Sequence, residues 1–283
     1  MVESVYKAGF SIWNQLIDLA MTLFTTSPTT ANGSVYATAH SLYLAIQSIS
    51  TPIAIVFFLI AIFRDVVTTP PDQQARRFFG DAVKFGIMIG ILTNLWSVMG
   101  YIIQIADGVT AALNASATYQ MSVSSDLSSV IAEAEKQPEN FNIGLWVDYI
   151  FTNILFFIAA LATLVVIISS CILILSSAFQ RIIKPLAIIP FSSITVAMGA
   201  GSGDANRVMT NYLKTFFGFC ISGAFMVICV KMGVSLTTGM VAFDINSLTL
   251  HEKVIFMSVQ TSITPIIIAG LIKSADSIIG RFF

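Results

Sequence analysis

Charge is scarce in this sequence. Asp, Glu, Lys and Arg make up 10% of its 283 residues, against about 25% in a typical soluble domain. A surface facing water on all sides cannot be built from so few charges, so an ordinary soluble globule is excluded. The net charge of −1 and a pI near 6.1 exclude a globally basic nucleic-acid surface or polybasic anchor. Three cysteines, Cys171, Cys220 and Cys229, lie inside apolar stretches at spacings that fit neither a disulfide framework nor a zinc site, and read as small hydrophobes. Two histidines, His40 and His251, have no Cys, Asp or Glu cluster at ligand spacing and read as solvated loop residues. The first twenty residues have no basic start followed by an unbroken apolar core, so cleavage of a secretory signal is not expected.

What the chain has in abundance is apolarity, at 56% of residues with a mean hydropathy of +0.85. Lipid offers the backbone no hydrogen-bond partner, so apolar runs must be helical or close into a barrel, and a barrel needs alternating apolarity. The continuous runs here predict an all-α, polytopic helical membrane protein. Spans are expected near 41–63, 85–105, 147–179, 215–236 and 254–272, each close to or above the ~20 residues that a ~30 Å hydrocarbon core requires. Pro52 is expected to kink the first. The third run is longer than a bilayer is thick and must tilt or project. Pro185 and Pro190 are expected to break off a short surface or re-entrant piece that ends in the glycines near 199–203.

Residues 1–39 read as an extracytoplasmic amphipathic helix followed by a linker, and 40–283 as the transmembrane domain. Between Val5 and Phe24, apolar residues including Ile12, Trp13, Leu16, Ile17, Ala20 and Leu23 recur at helical spacing. Trp13 and Tyr6 favour an interfacial position, with a packed soluble helix as the alternative. The stretch TTSPTTANGS ends that helix. Residues 107–145 are polar and acidic, carrying Asp107, Asp126, Glu133, Glu135 and Glu139 against Lys136, and read as a solvent-exposed loop or small subdomain.

Orientation follows from the Lys/Arg bias of short loops. With five alternating spans, one side receives Arg64, Arg76, Arg77, Lys84, Arg181, Lys184, Arg207, Lys214, Lys273 and Arg281; the other receives Lys7, Lys136, Lys231 and Lys253. Ten against four of the fourteen basic residues put the N-terminus outside and the C-terminus in the cytoplasm, in the plasma or inner membrane. If the N-terminal helix spans instead, the termini share a side.

No catalytic constellation, cofactor site or metal site is expected. GAGSGDANR lacks the GK[ST] ending of a phosphate loop and the βαβ pattern around it, and reads as a hinge. Lys231, near the end of the fourth span, is the one ionisable residue expected inside a span, and it can snorkel to the interface. Gln47, Asn94, Asn153, Gln260, Thr261 and Thr264 could line a pore in an assembly or bond neighbouring helices. Gly86 and Gly90 form a GxxxG pair, and Gly218 and Gly223 belong to a second small-residue cluster; both predict close helix packing.

The basic exit and Pro-interrupted apolar piece FQRIIKPLAIIPFSSI, the Gly-rich stretch after it, and the Lys-containing span NYLKTFFGFCISGAFMVICVKMG together resemble the TrbL-like polytopic inner-membrane subunits of type IV secretion and conjugative transfer systems. The likeness is to the shorter members, found in Gram-positive conjugative elements. It implies a non-enzymatic channel or scaffold subunit that self-associates, as a pentamer by that resemblance, and cooperates with traffic ATPases and other membrane subunits to move a single-stranded DNA–relaxase complex or a protein. By that resemblance Arg181, Lys184, Arg207 and Lys214 fall in a cytoplasmic loop. There they would contact the ATPase or the anionic strand, or simply set orientation. The competing readings are a small-molecule or ion transporter and a non-conducting membrane assembly factor.

Overall fold

The structure, a computed structural model, describes residues 2–114, 120–138, 142–201, 204–240 and 247–282. Glu139 of the acidic segment, Ser202 and Gly203 of the glycine stretch, and part of the turn before the last span lie outside the described residues. Every regular element among the described residues is helical: α1 (Val2–Thr25), α2 (Pro28–Ala31), α3 (Gly33–Thr68), α4 (Pro71–Thr93), α5 (Leu95–Asn114), α6 (Ser125–Glu135), α7 (Ile143–Met198), α8 (Asp204–Met240) and α9 (Leu250–Phe282).

Four of these, α3, α7, α8 and α9, are long and apolar enough to cross a membrane, and the α4–α5 pair supplies a fifth crossing if it counts as one bent span. The apolar surface they leave uncovered has the character expected of lipid-facing helices: Leu42, Ile49, Val56, Ile60 and Phe63 of α3 are all exposed. By length and composition this is a helical, multi-pass membrane protein.

The expected spans near 41–63, 147–179, 215–236 and 254–272 each fall within one helix. The one expected at 85–105 does not. It straddles a 71° bend between α4 and α5, and Asn94 makes that bend. Its backbone N–H turns to the carbonyl of Ile91 at 3.1 Å, a tighter turn than an α-helix, and its side-chain Nδ2 donates to the Gly90 carbonyl at 3.1 Å. The side chain thus satisfies the acceptor that the backbone of the same residue has abandoned.

The expected break at Pro185 and Pro190 is absent. Both prolines lie inside α7, which runs without interruption for 56 residues to Met198. Each proline removes one backbone donor, but unwinding an apolar helix would strand many more polar groups, so the helix continues. The chain turns only at the glycines, where space is short. A Cβ on Gly199 would stand 2.3 Å from Met209 Sδ and 2.5 Å from Met88 Cε. Pro52 likewise lies inside α3 without ending it.

The chain forms two compact units. The first comprises Met1–Phe24, Leu113–Ala178 and Phe225–Ala275. Here the apolar stripe of α1 faces protein: Trp13, Met21 and Phe24 pack with Cys171, Val230 and Ile268, and Tyr6 and Phe10 pack with Ile131, Phe156 and Met257. Trp13 and Tyr6 are therefore core residues of this unit, and their burial accounts for the stripe without a membrane interface. Tyr6 Oη lies 2.7 Å from Ser258 Oγ, and the Asn14 amide bonds both backbone groups of Met121, at 2.9 and 2.8 Å. Within the acidic segment, α6 is capped by Ser124 Oγ, which accepts from Leu127 N at 3.1 Å, and it buries Leu127, Val130, Ile131 and Ala134.

The second unit comprises Thr25–Ala112, Phe179–Ala224 and Asp276–Phe283. Its core gathers Tyr43, Met88, Leu95, Met99, Ile189 and Phe216. Trp96 is flanked by the rings of Tyr36, His40 and Tyr43, with centroids 4.5–5.2 Å away. His40 is thus a half-buried helical residue against an aromatic ring, where the sequence reading put a solvated loop histidine.

Candidate functional site: a buried arginine–aspartate pair

A charge inside an apolar helix is costly and marks the first place to look for function. The second unit holds such a charge at Arg181. Its side chain is 1% exposed and its Nη2 lies 3.0 Å from Oδ1 of Asp107, itself 16% exposed. Nη1 donates to the Thr26 carbonyl at 2.9 Å. One guanidinium thereby joins α7, α5 and the segment that follows α1.

The seat for this group is made by glycine. A Cβ on Gly223 of α8 would stand 2.2 Å from Nε, 2.5 Å from Cζ and 2.8 Å from Nη2 of Arg181, so the guanidinium occupies the volume a side chain would need. Gly223 is a close-packing glycine, as the sequence reading has it, but what approaches it is a charged side chain. Burying an unpaired guanidinium would cost several kcal/mol, and Asp107 supplies the counter-charge while the carbonyl takes a second donor. The arrangement holds helices together.

This placement corrects the expectation for Arg181, which is not a loop residue and has no surface to offer a partner. The physical reason is the continuity of α7, which carries residue 181 into the packed interior. Lys184, one turn on, is half-buried, with its ammonium 5.9 Å above the Phe219 ring. Arg207 is 82% exposed at 3.8 Å from Asp204, and Lys214 is exposed on α8.

The six polar residues considered for a pore are divided between the two units. In the second unit, Gln47 Nε2 donates to the Leu92 carbonyl at 3.3 Å and Asn94 serves the bend. In the first, Asn153 Nδ2 donates to the carbonyls of Ala134, at 3.0 Å, and Tyr149, at 2.9 Å. Thr261 Oγ1 bonds Met257 O at 2.7 Å, Thr264 is buried and Gln260 is half-buried. Gln47 and the Asn153–Ala134 contact serve as ties between elements.

Gly218 is buried on α8. Around Gly86 and Gly90 nothing lies within 4 Å of a would-be Cβ, so this GxxxG pair packs against no described part of its own chain. Lys231, on the first unit's part of α8, donates to the Leu113 carbonyl near the end of α5, a contact with the negative end of that helix.

Sequence reasoning missed Asp107, which it assigned to the edge of an exposed acidic segment. The available signal was its setting in IIQIADGVTAAL, with apolar residues continuing on both sides. It also missed the link between Asp148 and His251, where His251 Nε2 lies 3.1 Å from Asp148 Oδ1 and Nδ1 lies 3.1 Å from Thr152 Oγ1. His251 is thus a tethered residue of α9. Among the described residues no group of three or more His, Cys, Asp or Glu side chains could hold a metal ion. No protein family, curated protein or solved structure matches this chain.

Proposed function

We propose that this chain is a non-enzymatic channel or scaffold subunit of a type IV secretion or conjugation apparatus, a TrbL-like protein that self-associates in the plasma or inner membrane. Its N-terminus lies outside and its C-terminus in the cytoplasm. Traffic ATPases and other membrane subunits supply energy and substrate, either a single-stranded DNA–relaxase complex or a protein. The observation that carries the reading is the open GxxxG face of α4. Gly86 and Gly90 meet nothing within 4 Å, so a surface suited to close helix contact is left over for another chain. The resemblance of residues 179–194 and 211–233 to the TrbL-like proteins supplies the rest.

With Arg181 committed to the interior, Lys184, Arg207 and Lys214 remain for contact with an ATPase or an anionic strand. The test is transfer frequency in cells deleted for the gene and complemented with variants. Charge reversal at Lys184, Arg207 and Lys214 should abolish transfer while leaving expression and topology intact; undiminished transfer overturns the contact, and undiminished transfer on deletion overturns the function.

The transporter reading keeps one favourable observation, the 71° bend at Asn94, because transporters build substrate sites at interrupted helices. A solute taken up by proteoliposomes containing this chain alone would favour it.

A further inference from the structure

We propose that the end of the first unit formed by α6, α7 and α9 binds one phospholipid with a zwitterionic, primary-amine headgroup. Two cavities adjoin there. The first, of about 450 Å³, is lined by Glu133, Lys136, Asp148, Tyr149 and Thr152 among others. Both signs of charge are fixed around it: Lys253 Nζ lies 3.2 Å from Glu133 Oε2, and His251 Nε2 lies 3.1 Å from Asp148 Oδ1. Each contact engages one carboxylate oxygen, and the Glu133 and Asp148 side chains remain 52% and 65% exposed.

The second cavity, of about 590 Å³, is walled mainly by Val2, Ile150, Ile154 and Phe157, with Glu135 and Asn153 as its polar lining, and shares Tyr149 with the first. The shared residue and the helical repeat explain why they adjoin. Asp148 and Thr152 lie on one side of Tyr149 around α7, and Ile150 and Ile154 lie on the other, so Tyr149 and the end of α6 stand between the polar and the apolar lining. From Tyr149 to Phe157 the apolar wall runs about 12 Å along α7. The Trp146 and Tyr149 rings, 5.9 Å apart, stand at its polar end, where amphipathic rings mark headgroup depth.

A polar cup with both charges on one side of Tyr149 and a largely apolar groove on the other matches an amphiphile laid across α7 at that residue. Lys136 answers a phosphate, and the carboxylates of Glu133 and Asp148 accept from an ammonium that has N–H donors. A choline head has no such donors, and an anionic head leaves the two carboxylates unanswered. The groove holds the first part of an acyl chain. This inference depends on membrane residence and not on the secretion reading, so either can fail alone.

The test is native mass spectrometry of the full-length, detergent-purified chain. It is titrated with phosphatidylethanolamine, phosphatidylcholine and phosphatidylglycerol of matched chains, and with glycerophosphoethanolamine as the chain-free head. Phosphatidylethanolamine is expected to bind about tenfold more tightly than the other two lipids, and the chain-free head not to be retained. Lys136→Glu and Ile154→Trp, both at exposed positions, should each weaken phosphatidylethanolamine binding by a similar factor with helical circular dichroism unchanged. Ile150→Trp replaces Ile154→Trp if that variant misfolds. Equal binding of the three lipids, preference for phosphatidylglycerol, retention of the chain-free head, or variants that bind like the unmodified chain would overturn the assignment.

Discussion

The guanidinium of Arg181 sits in the space that a side chain on residue 223 would fill, with Nε 2.2 Å from the position of a Gly223 Cβ. Gly223→Ala therefore cannot be absorbed by a small shift. Arg181 has to move, and its contacts with Asp107 and Thr26 move with it. A loss of about 1–3 kcal/mol is expected, the usual cost of overpacking, read as a lower midpoint of unfolding in detergent. Gly80→Ala, at an open position of the same residue type outside the GxxxG pair, should not lower that midpoint.

Breaking the Arg181–Asp107 pair from either side should cost more than removing it altogether. Arg181→Leu or Asp107→Leu alone leaves a buried charge without its counter-charge, worth about 3–5 kcal/mol. The double variant removes both charges and should recover much of that loss. A double-mutant cycle on unfolding midpoints measures the difference, and additive losses would show that the two side chains act independently.

Asn94→Leu removes the side-chain donor to the Gly90 carbonyl while adding apolar volume at the bend. The expected outcome is that α4 and α5 straighten toward one helix. Spin labels on Val83 and Val109, both exposed, should move farther apart in the variant than in the unmodified chain, measured by pulsed electron resonance.

Tyr6→Phe provides a contrast. Ser258 Oγ already donates to the Val254 carbonyl at 2.8 Å, so losing the Tyr6 hydroxyl leaves no orphaned donor there. A loss of about 1 kcal/mol is expected, well below that of the single variants at Arg181.

Helix positions were legible in the sequence wherever apolarity alone sets them. The spans near 41–63, 147–179, 215–236 and 254–272 each lie within a helix because backbone satisfaction in an apolar medium leaves few alternatives. What a single sequence conceals is pairing between distant segments. Asp107 and Arg181 are 74 positions apart, and each looks like the edge of a polar loop until the helices are placed side by side. The prolines misled for a related reason. Their helix-breaking effect is a property of chains with water to turn to, and α7 keeps its ladder where water is scarce. Trp13 and Tyr6 show the opposite limit, since an amphipathic stripe fits a protein core as well as a membrane interface, and only packing against α7, α8 and α9 decides.

The proposal that this chain self-associates in the membrane rests on the open GxxxG face of α4. It is tested most directly by the mass of the particle extracted into lipid nanodiscs without prior detergent exposure, measured by mass photometry. The account predicts a mass of several chains that falls when Gly86 and Gly90 are both replaced by Leu, whereas a monodisperse single chain in the unmodified protein would contradict it.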